Sequence, residues 1–201
     1  MNVTQGREFH HQMRRVSNRS IPPDFVSSNS SFTTHSGRTI VRGVVTTDFE
    51  ICHLFVSGGH NFAGHHQKPP GTHAMTEVQE ITCVAGKGIV GDRYFGFRQN
   101  YKGQITFFEQ EAHDQLCAQL GVWDRGPEVY RRNVITGGVR LNDLIGVEFE
   151  LQGVRFLGRE ECRPCYWMDF AFSSGAEDAL KGRGGLRAEI LTNGHLRRTQ
   201  A

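Results

Sequence analysis

Short apolar runs separated by glycines dominate the chain after residue 47, and they predict a protein built mainly from short strands. Apolar runs of roughly four to eight residues, bounded by turn residues, are typical of β-strands. The predicted strands are residues 49–56, 76–85, 104–108, 133–136, 147–151, 154–158 and 186–191, with a last strand from Leu196 onward. Gln152-Gly153 and Asn193-Gly194 separate neighbouring runs, and each is predicted to form a tight hairpin turn.

Two helices are predicted, and only the first rests on helical periodicity. Ala112, Leu116, Cys117 and Leu120 recur at helical spacing, which predicts an amphipathic helix over residues 109–120. A brief second helix is predicted for residues 175–181. Many short strands, glycine turns and one long helix together indicate a mainly β fold of the barrel type.

The first 47 residues differ in composition from the rest. Ser, Thr, Asn and Arg dominate there, Pro22-Pro23 interrupts the segment, and no hydrophobic period lasts a full element. Such a segment buries too little apolar surface to fold alone, so residues 1–47 are predicted to be a disordered extension. Residues 48–201 are predicted to form a single β domain.

Size and charge exclude several classes of protein. The chain has 201 residues, with 23 Lys and Arg against 21 Asp and Glu, a formal net charge of +2. This balance disfavours a nucleic-acid-binding protein with a basic surface. No apolar run is long enough to cross a bilayer, and the amino terminus lacks the apolar core of a signal peptide. An odd count of five cysteines disfavours a secreted disulfide framework. We therefore expect a soluble, cytoplasmic protein.

The segment Cys162-Arg163-Pro164-Cys165 carries the strongest chemical signal. A thiolate beside a fixed positive charge forms more easily, and the thiolate is the species that binds metals and attacks electrophiles. Pro164 restricts the backbone on both sides, so Cys165 is predicted to sit on a stiff turn. The alternative is a buried structural pair. The remaining cysteines (Cys52, Cys83 and Cys117) lie in apolar patterns and are interpreted as core fillers.

Three basic residues lie next to glycines or to an asparagine. Arg93 ends a glycine-rich loop, Lys102 precedes Gly103, and Arg132 precedes Asn133 at the start of a strand. Glycines allow close backbone approach, arginine matches phosphate or carboxylate, and an asparagine amide suits a heterocycle edge. The three cations would hold a small anionic group if the fold brings them to one end. The alternatives are an Asp92–Arg93 ion pair and a solvated loop at Arg132.

Histidines form a further cluster in a loop rich in glycine and proline. His60, His65 and His66, together with Cys162 and Cys165, match the ligand types of a Cys₂His₂ zinc site. A Cys-x-x-Cys motif without a second spaced pair is a weak zinc signal. Plain surface polarity is the other interpretation of these histidines.

Taken together and in order, these segments resemble the MOSC domain, the carboxy-terminal module of molybdenum-cofactor sulfurases, which also occurs as small stand-alone proteins. The resemblance covers residues 49–198. It is carried by the loop at residues 88–93, Lys102-Gly103, Arg132-Asn133, Leu144-Ile145-Gly146 before a hairpin, and the turn at residues 162–165.

The resemblance implies a closed, mostly antiparallel β-barrel that binds the molybdenum cofactor (molybdopterin). Cys165 corresponds to the family's reactive cysteine and would be the protein ligand to molybdenum. Arg93, Lys102 and Arg132 would hold the pterin phosphate, and Asn133 and Arg163 would complete the cofactor site. Cys162 would be a neighbour of the metal ligand or a resolving thiol. No pyridoxal phosphate is expected in this chain.

Three functions remain open from the sequence. The first is an oxidoreductase that removes oxygen from a small N-oxygenated substrate, with electrons from a separate reductase. The second is a sulfurtransferase that carries a persulfide on Cys165 and takes sulfur from a separate donor. The third is a non-catalytic zinc-binding barrel.

Overall fold

The computed structural model describes residues 49–199 in full, together with the backbone of three short strands nearer the amino terminus. These strands are β1 (Phe32–Thr33), β2 (Thr39–Val41) and β3 (Val44–Thr46). The rest of the segment predicted to be a disordered extension lies outside the described residues, so that part of the prediction remains a prediction.

The fully described part of the chain is mainly β. Its strands are β4 (Glu50–Val56), β5 (Thr76–Glu77), β6 (Glu80–Val84), β7 (Gly88–Ile89), β8 (Ile105–Glu109), β9 (Val134–Gly137), β10 (Glu148–Leu151), β11 (Val154–Glu161), β12 (Leu186–Ile190) and β13 (Gly194–Arg197). Its α-helices are α1 (Gln110–Leu120), α2 (Trp167–Ala171) and α3 (Ala176–Ala179), and 3₁₀ turns occupy Pro127–Tyr130 and Leu141–Leu144.

The described strands form one large sheet and one small one. The large sheet has the order β1-β2-β3-β10-β11-β12-β8-β9-β4-β5, and the small sheet has the order β13-β6-β7. Pairing is antiparallel except for β3 with β10 and β8 with β9. The mainly β prediction is confirmed. The closed barrel is not confirmed, because no ring of hydrogen-bonded strands closes among these elements and the large sheet has edges at β1 and β5.

The large sheet has an apolar cluster on each face. On β8, Phe107 packs into one cluster and Phe108 into the other, because successive side chains of a strand point to opposite faces. Phe107, Phe149 and Phe156 form the aromatic centre of the first cluster, with ring centroids 5.4–5.8 Å apart. Helix α1 covers the second cluster through Ala112, Leu116 and Cys117, as its periodicity predicted.

One predicted hairpin is confirmed, and its turn shows why. Gln152 and Gly153 adopt φ values of 51° and 79°, the left-handed conformation that a type I′ turn requires at both central positions. Leu151 pairs with Val154 across this turn. The amide of Gln152 also bonds the backbone of Arg197, at 2.8 and 2.9 Å, so the hairpin is tied to β13.

The second predicted hairpin, at Asn193-Gly194, is wrong. Strand β12 pairs with β11 and β8, whereas β13 pairs with β6 in the small sheet. Neither Asn193 nor Gly194 adopts a positive φ. Instead, Asn193 Oδ1 accepts a hydrogen bond from the amide of Ala85 at 2.8 Å, so this asparagine joins two sheets.

Two further elements differ from the prediction. The single strand predicted for residues 76–85 is divided at Val78 and Gln79, because β5 pairs with β4 while β6 pairs with β13 and β7. Helix α2, which directly follows the Cys162–Cys165 turn, was not predicted. No helix among the described residues is both long and apolar enough to cross a bilayer.

A buried histidine on α1 makes stability depend on pH. His113 Nδ1 lies 3.0 Å from the Tyr130 hydroxyl, and its Nε2 lies 3.6 Å from Cys117 Sγ. Burial lowers the pKa of His113 below its ordinary value of 6.5. Below about pH 6.5, His113 therefore binds a proton more readily in the unfolded chain than in the folded chain. The free energy of unfolding consequently decreases as the pH falls through this range.

We expect the free energy of unfolding, measured in urea between about pH 5 and pH 8, to decrease on the acidic side, and His113→Gln to flatten that decrease. Burial also lowers the pKa of His60, so part of the slope should persist in the variant. An unchanged slope in His113→Gln would contradict the assignment.

Candidate active site

A pocket of about 280 Å³ brings together residues that are far apart in the sequence. Its lining includes Cys165, Arg93, Arg132, Arg163 and His60. Arg131, Arg187, Tyr94, Trp167 and Phe62 also contribute to it. No Asp or Glu is among the described residues that line this pocket, so its charged groups are all cationic. An electropositive pocket of this kind favours an anionic ligand.

The turn at residues 162–165 separates the two cysteines by environment. Cys162 follows the end of β11, is buried, and donates its amide hydrogen to Gly185 O at 2.7 Å. Cys165 is exposed, and its carbonyl accepts from the amide of Met168 at 2.7 Å, where α2 begins. Cys162 therefore anchors the turn in the core, whereas the exposed Cys165 lines the pocket. All five cysteines are free thiols, and Cys83 and Cys117 are buried as predicted.

Arg132 holds this turn in place. Its Nε and Nη2 donate to Gly184 O at 3.2 and 3.1 Å, and Nη2 also donates to Cys162 O at 3.3 Å. Its Nη1 donates to Tyr130 O at 2.7 Å. A side chain at Gly184 would collide with Cys162 O, so glycine is needed for the close approach. Arg132 thus uses most of its donors on carbonyls beside the thiol.

Arg93 and Asn133 are joined through one buried carboxylate. Arg93 Nη1 lies 3.2 Å from Asp92 Oδ2, and Asn133 Nδ2 donates to the same oxygen at 3.1 Å. The Asp92–Arg93 ion pair considered from the sequence is therefore present, and the Arg93 side chain is only 7 % exposed. Asn133 Oδ1 accepts from Thr106 N and Oγ1 at 3.1 and 2.8 Å. The Asn133 amide is thus occupied by the protein and lies behind the pocket wall.

Lys102 does not line the pocket. Its Nζ lies 2.5 Å from Glu160 Oε2, and this hydrogen bond lowers the pKa of Glu160 below its ordinary value. Glu160 Oε1 accepts from Arg187 Nη1 at 3.1 Å, so one carboxylate links Lys102 to a pocket arginine. Arg163, by contrast, is exposed, and its guanidinium has no hydrogen bond or ion pair to the described part of the chain.

The predicted histidines are dispersed. His60 lines the pocket, with its ring edge-on to Tyr94 at 4.8 Å, and burial with Arg93 and Arg131 nearby lowers its pKa. His65 Nδ1 bonds Pro69 O at 2.7 Å, within its own loop. His66 Nδ1 lies 3.2 Å from the Tyr166 hydroxyl. In the region the structure covers, no three His, Cys, Asp or Glu side chains form a metal-binding group, so the zinc site is not supported.

Two arginines of the pocket lining, Arg131 and Arg187, are not among the predicted site residues. Arg131 is buried, and its burial together with the nearby Arg93 lowers its pKa to about 10. Arg187 projects from β12 between the buried Leu186 and Ala188, on the opposite face of the strand. Alternation along the strand predicts an outward Arg187 but does not show which loops lie over it. The pairing of β8, β12 and β11 supplies that information.

A larger cavity of about 700 Å³ lies beside β4, away from Cys165. Its lining includes Cys52, Glu50, His53 and Arg198. Burial and the Glu50 carboxylate raise the pKa of the Cys52 thiol, which disfavours the reactive thiolate. The smaller pocket has the exposed thiol and the cations, so it is the better candidate for chemistry.

Comparison with known proteins supports the fold. No protein-family model matches this sequence, and neither does any curated protein. Among solved structures, the YuaD protein from Bacillus subtilis matches with a TM-score of 0.57 and 17 % identity, over 75 % of this chain and 91 % of that chain. YiiM from Geobacillus stearothermophilus matches with a TM-score of 0.55 and 12 % identity, over 74 % and 71 %. Both are MOSC-domain proteins, and at these identities the likeness concerns the fold alone.

We expect Arg132→Lys to destabilise the Cys162–Cys165 turn, because an ammonium group does not reproduce the forked contacts to Gly184 O and Cys162 O. The free energy of unfolding should fall by about 1–3 kcal/mol, as for lost hydrogen bonds to a charged group. Alkylation of Cys162, followed by peptide mass spectrometry, should become faster. Arg125→Lys, at an exposed arginine paired with Asp124, is the matched control and should change neither quantity.

Proposed function

We propose that this protein binds the molybdenum cofactor in the pocket at Cys165 and acts as an oxidoreductase on a small N-oxygenated substrate. The observation that carries the proposal is an exposed thiol on a fixed turn, inside a pocket whose charged lining consists of arginines. The likeness of fold to MOSC-domain proteins supports it.

The chemistry of the donor set fits this cofactor. A thiolate is a soft ligand suited to a metal that already has sulfur ligands. Guanidinium groups recognise phosphate oxygens in a plane, and aromatic side chains pack against a flat heterocycle. The pocket has several arginines near Cys165, and Tyr94 and Trp167 are among the aromatic residues that line it.

The pocket arginines differ in how many hydrogen bonds and ion pairs their guanidinium groups make within the protein. The Arg163 guanidinium has the fewest contacts with the protein, and Glu160 is the one carboxylate that pairs with Arg187 among the described residues. We therefore assign the phosphate contacts to Arg163 and Arg187. Arg93 and Arg132 contribute positive charge, and their guanidinium groups donate hydrogen bonds to backbone carbonyls of the protein. In this proposal Lys102 and Asn133 act through Glu160 and Asp92, as supports of the pocket.

The cofactor, when bound, would supply the redox couple. Cys165 would provide the protein ligand, and the cationic lining would offset the negative charge of phosphate and sulfur. Release of one oxygen as water consumes two electrons and two protons, so a separate reductase must deliver the electrons.

A second candidate is a sulfur carrier with a persulfide on Cys165. It is favoured by the contrast in exposure, because Cys165 is exposed while Cys52 is half-buried and the other cysteines are buried. An exposed sulfur is accessible to a donor and to an acceptor protein. Neither role requires Cys162 to react.

We expect about one molybdenum atom per chain in protein purified from a host that makes the cofactor, measured by elemental analysis. Cys165→Ser should lose most of the metal, because the hydroxyl is a harder and less ionised ligand. The matched control Cys52→Ser should retain it, since Cys52 lies in the other cavity. A wild-type protein without molybdenum from such a host would refute the proposal.

The sulfur-carrier candidate predicts a different result in intact-protein mass spectrometry. After exposure to a sulfane-sulfur donor such as a low-molecular-weight persulfide, which transfers its outer sulfur and leaves as a thiol, the chain should gain one sulfur that dithiothreitol removes, and Cys165→Ser should abolish the gain. Cys52→Ser should leave it unchanged. Absence of this adduct in the wild type, alongside bound molybdenum, decides for the first candidate.

A further inference from the structure

We propose that Arg131 is a positioning residue that closes the neck of the loop formed by residues 59–73 and thereby holds the wall that this loop contributes to the pocket containing Cys165. The proposal rests on the proposed function for the identity of the site, and it adds a specific role for an arginine outside the predicted set. The loop connects β4 to β5, and its residues His60, Asn61, Phe62 and Ala63 line the pocket.

A single guanidinium bridges the two ends of this loop. Arg131 Nη2 donates to Gly59 O at 2.8 Å, at the start of the loop, and to Ser57 Oγ at 2.9 Å, two residues before it. Its Nη1 donates to His73 O at 2.7 Å, at the end of the loop. A lysine has no fork to reach both ends in one plane, so these contacts are specific to arginine.

The neck is closed further by side-chain and backbone contacts. Asn61 Nδ2 donates to His73 O, and Asn61 Oδ1 accepts from His73 N, both at 2.8 Å. The amide of Gly71 donates to Asn61 O at 2.9 Å. A Cβ at Gly71 would lie 2.6 Å from His60 O, which real contacts do not allow. The two ends of the loop therefore approach as closely as glycine permits.

Phe62, which directly follows the neck residue Asn61, packs on the helix that follows the thiol. Phe62 stacks on Trp167 with ring centroids 4.7 Å apart and an interplanar angle of 21°. Trp167 in turn stacks on Tyr166 at 4.9 Å, and the Tyr166 hydroxyl bonds His66. Tyr166 directly follows Cys165 in the chain. The geometry of the neck therefore determines how Phe62 meets the segment that carries the reactive sulfur.

Arg131 suits this role better than direct ligand binding. It is only 8 % exposed, and three of its donor contacts go to oxygens of the chain. Its lowered pKa of about 10 leaves it charged at neutral pH. Its own carbonyl accepts a hydrogen bond from Arg93 Nη2 at 2.9 Å, which connects the neck to another residue of the pocket lining.

The test uses Trp167 as a reporter. The chain has two tryptophans, and Trp123 is 72 % exposed, so a Trp123→Phe parent leaves Trp167 as the sole emitter. In this parent, Phe62→Ala sets the size of the signal when the ring over Trp167 is removed. We expect Arg131→Gln to raise the acrylamide quenching constant of Trp167 by roughly twofold, and Arg131→Lys to restore little of the protection.

An independent variant opens the neck with Arg131 intact. Gly71→Ala should raise the quenching of Trp167 in the same way, because its Cβ collides with His60 O. Gly58→Ala is the matched control, since a Cβ there meets open space. Arg125→Gln, at an exposed arginine, controls for loss of a charge. If Arg131→Gln does not fold, the comparison of Gly71→Ala with Gly58→Ala decides the matter.

The inference is overturned if Trp167 quenching in Arg131→Gln and Gly71→Ala equals that of the parent while Phe62→Ala raises it. A melting temperature that falls without a change in quenching would reduce Arg131 to a structural role, which also overturns it. Molybdenum content is measured on the same proteins. A parent without metal would refute the proposed function, whereas the quenching result would still decide the role of Arg131.

Discussion

Hydrogen bonds from guanidinium groups to backbone carbonyls hold the candidate site together. Arg132 joins the carbonyls of Cys162 and Gly184, and Arg131 joins those of Gly59 and His73. Each contact satisfies a carbonyl in a loop that lacks a strand partner, and it also places a positive charge near Cys165. The same residues therefore fix the shape of the pocket and determine its charge.

The positive charges of the pocket arginines repel one another. Arg93 and Arg131 lie close enough that Arg93 contributes to the lowered pKa of Arg131, and no carboxylate lines the pocket among the residues described. Asp92 offsets part of the charge from behind the wall, where it bonds both Arg93 and Asn133. The remaining positive charge belongs to residues that line the pocket, where a bound anion would relieve the repulsion between the arginines and so stabilise the folded chain.

Local signals in the sequence predicted the parts of the fold that depend on neighbouring residues. The helix of residues 110–120 and the turn at Gln152-Gly153 follow from periodicity and from backbone conformation at those positions. The Asn193 turn was predicted wrongly, because its side chain bonds Ala85 in another sheet, and no local pattern contains that partner. For the candidate site, too, the sequence predicts the residues with a local signal and not those that long-range pairing brings in. Cys165 stands out within its own segment, whereas Arg187 enters the pocket only through the pairing of β12 with β8 and β11.

The charge of the pocket also weighs between the two candidate functions. A sulfur carrier needs an exposed thiol and a partner surface, and Cys165 meets that need without any of the surrounding arginines. Collecting Arg93, Arg131, Arg132, Arg163 and Arg187 around one small cavity costs electrostatic free energy, which a neutral or single-sulfur cargo offsets poorly. A ligand with a phosphate group and with a metal already bound by sulfur accounts for both the cations and the thiol. That correspondence between the thiol and its cationic setting is why the molybdenum cofactor is the preferred proposal.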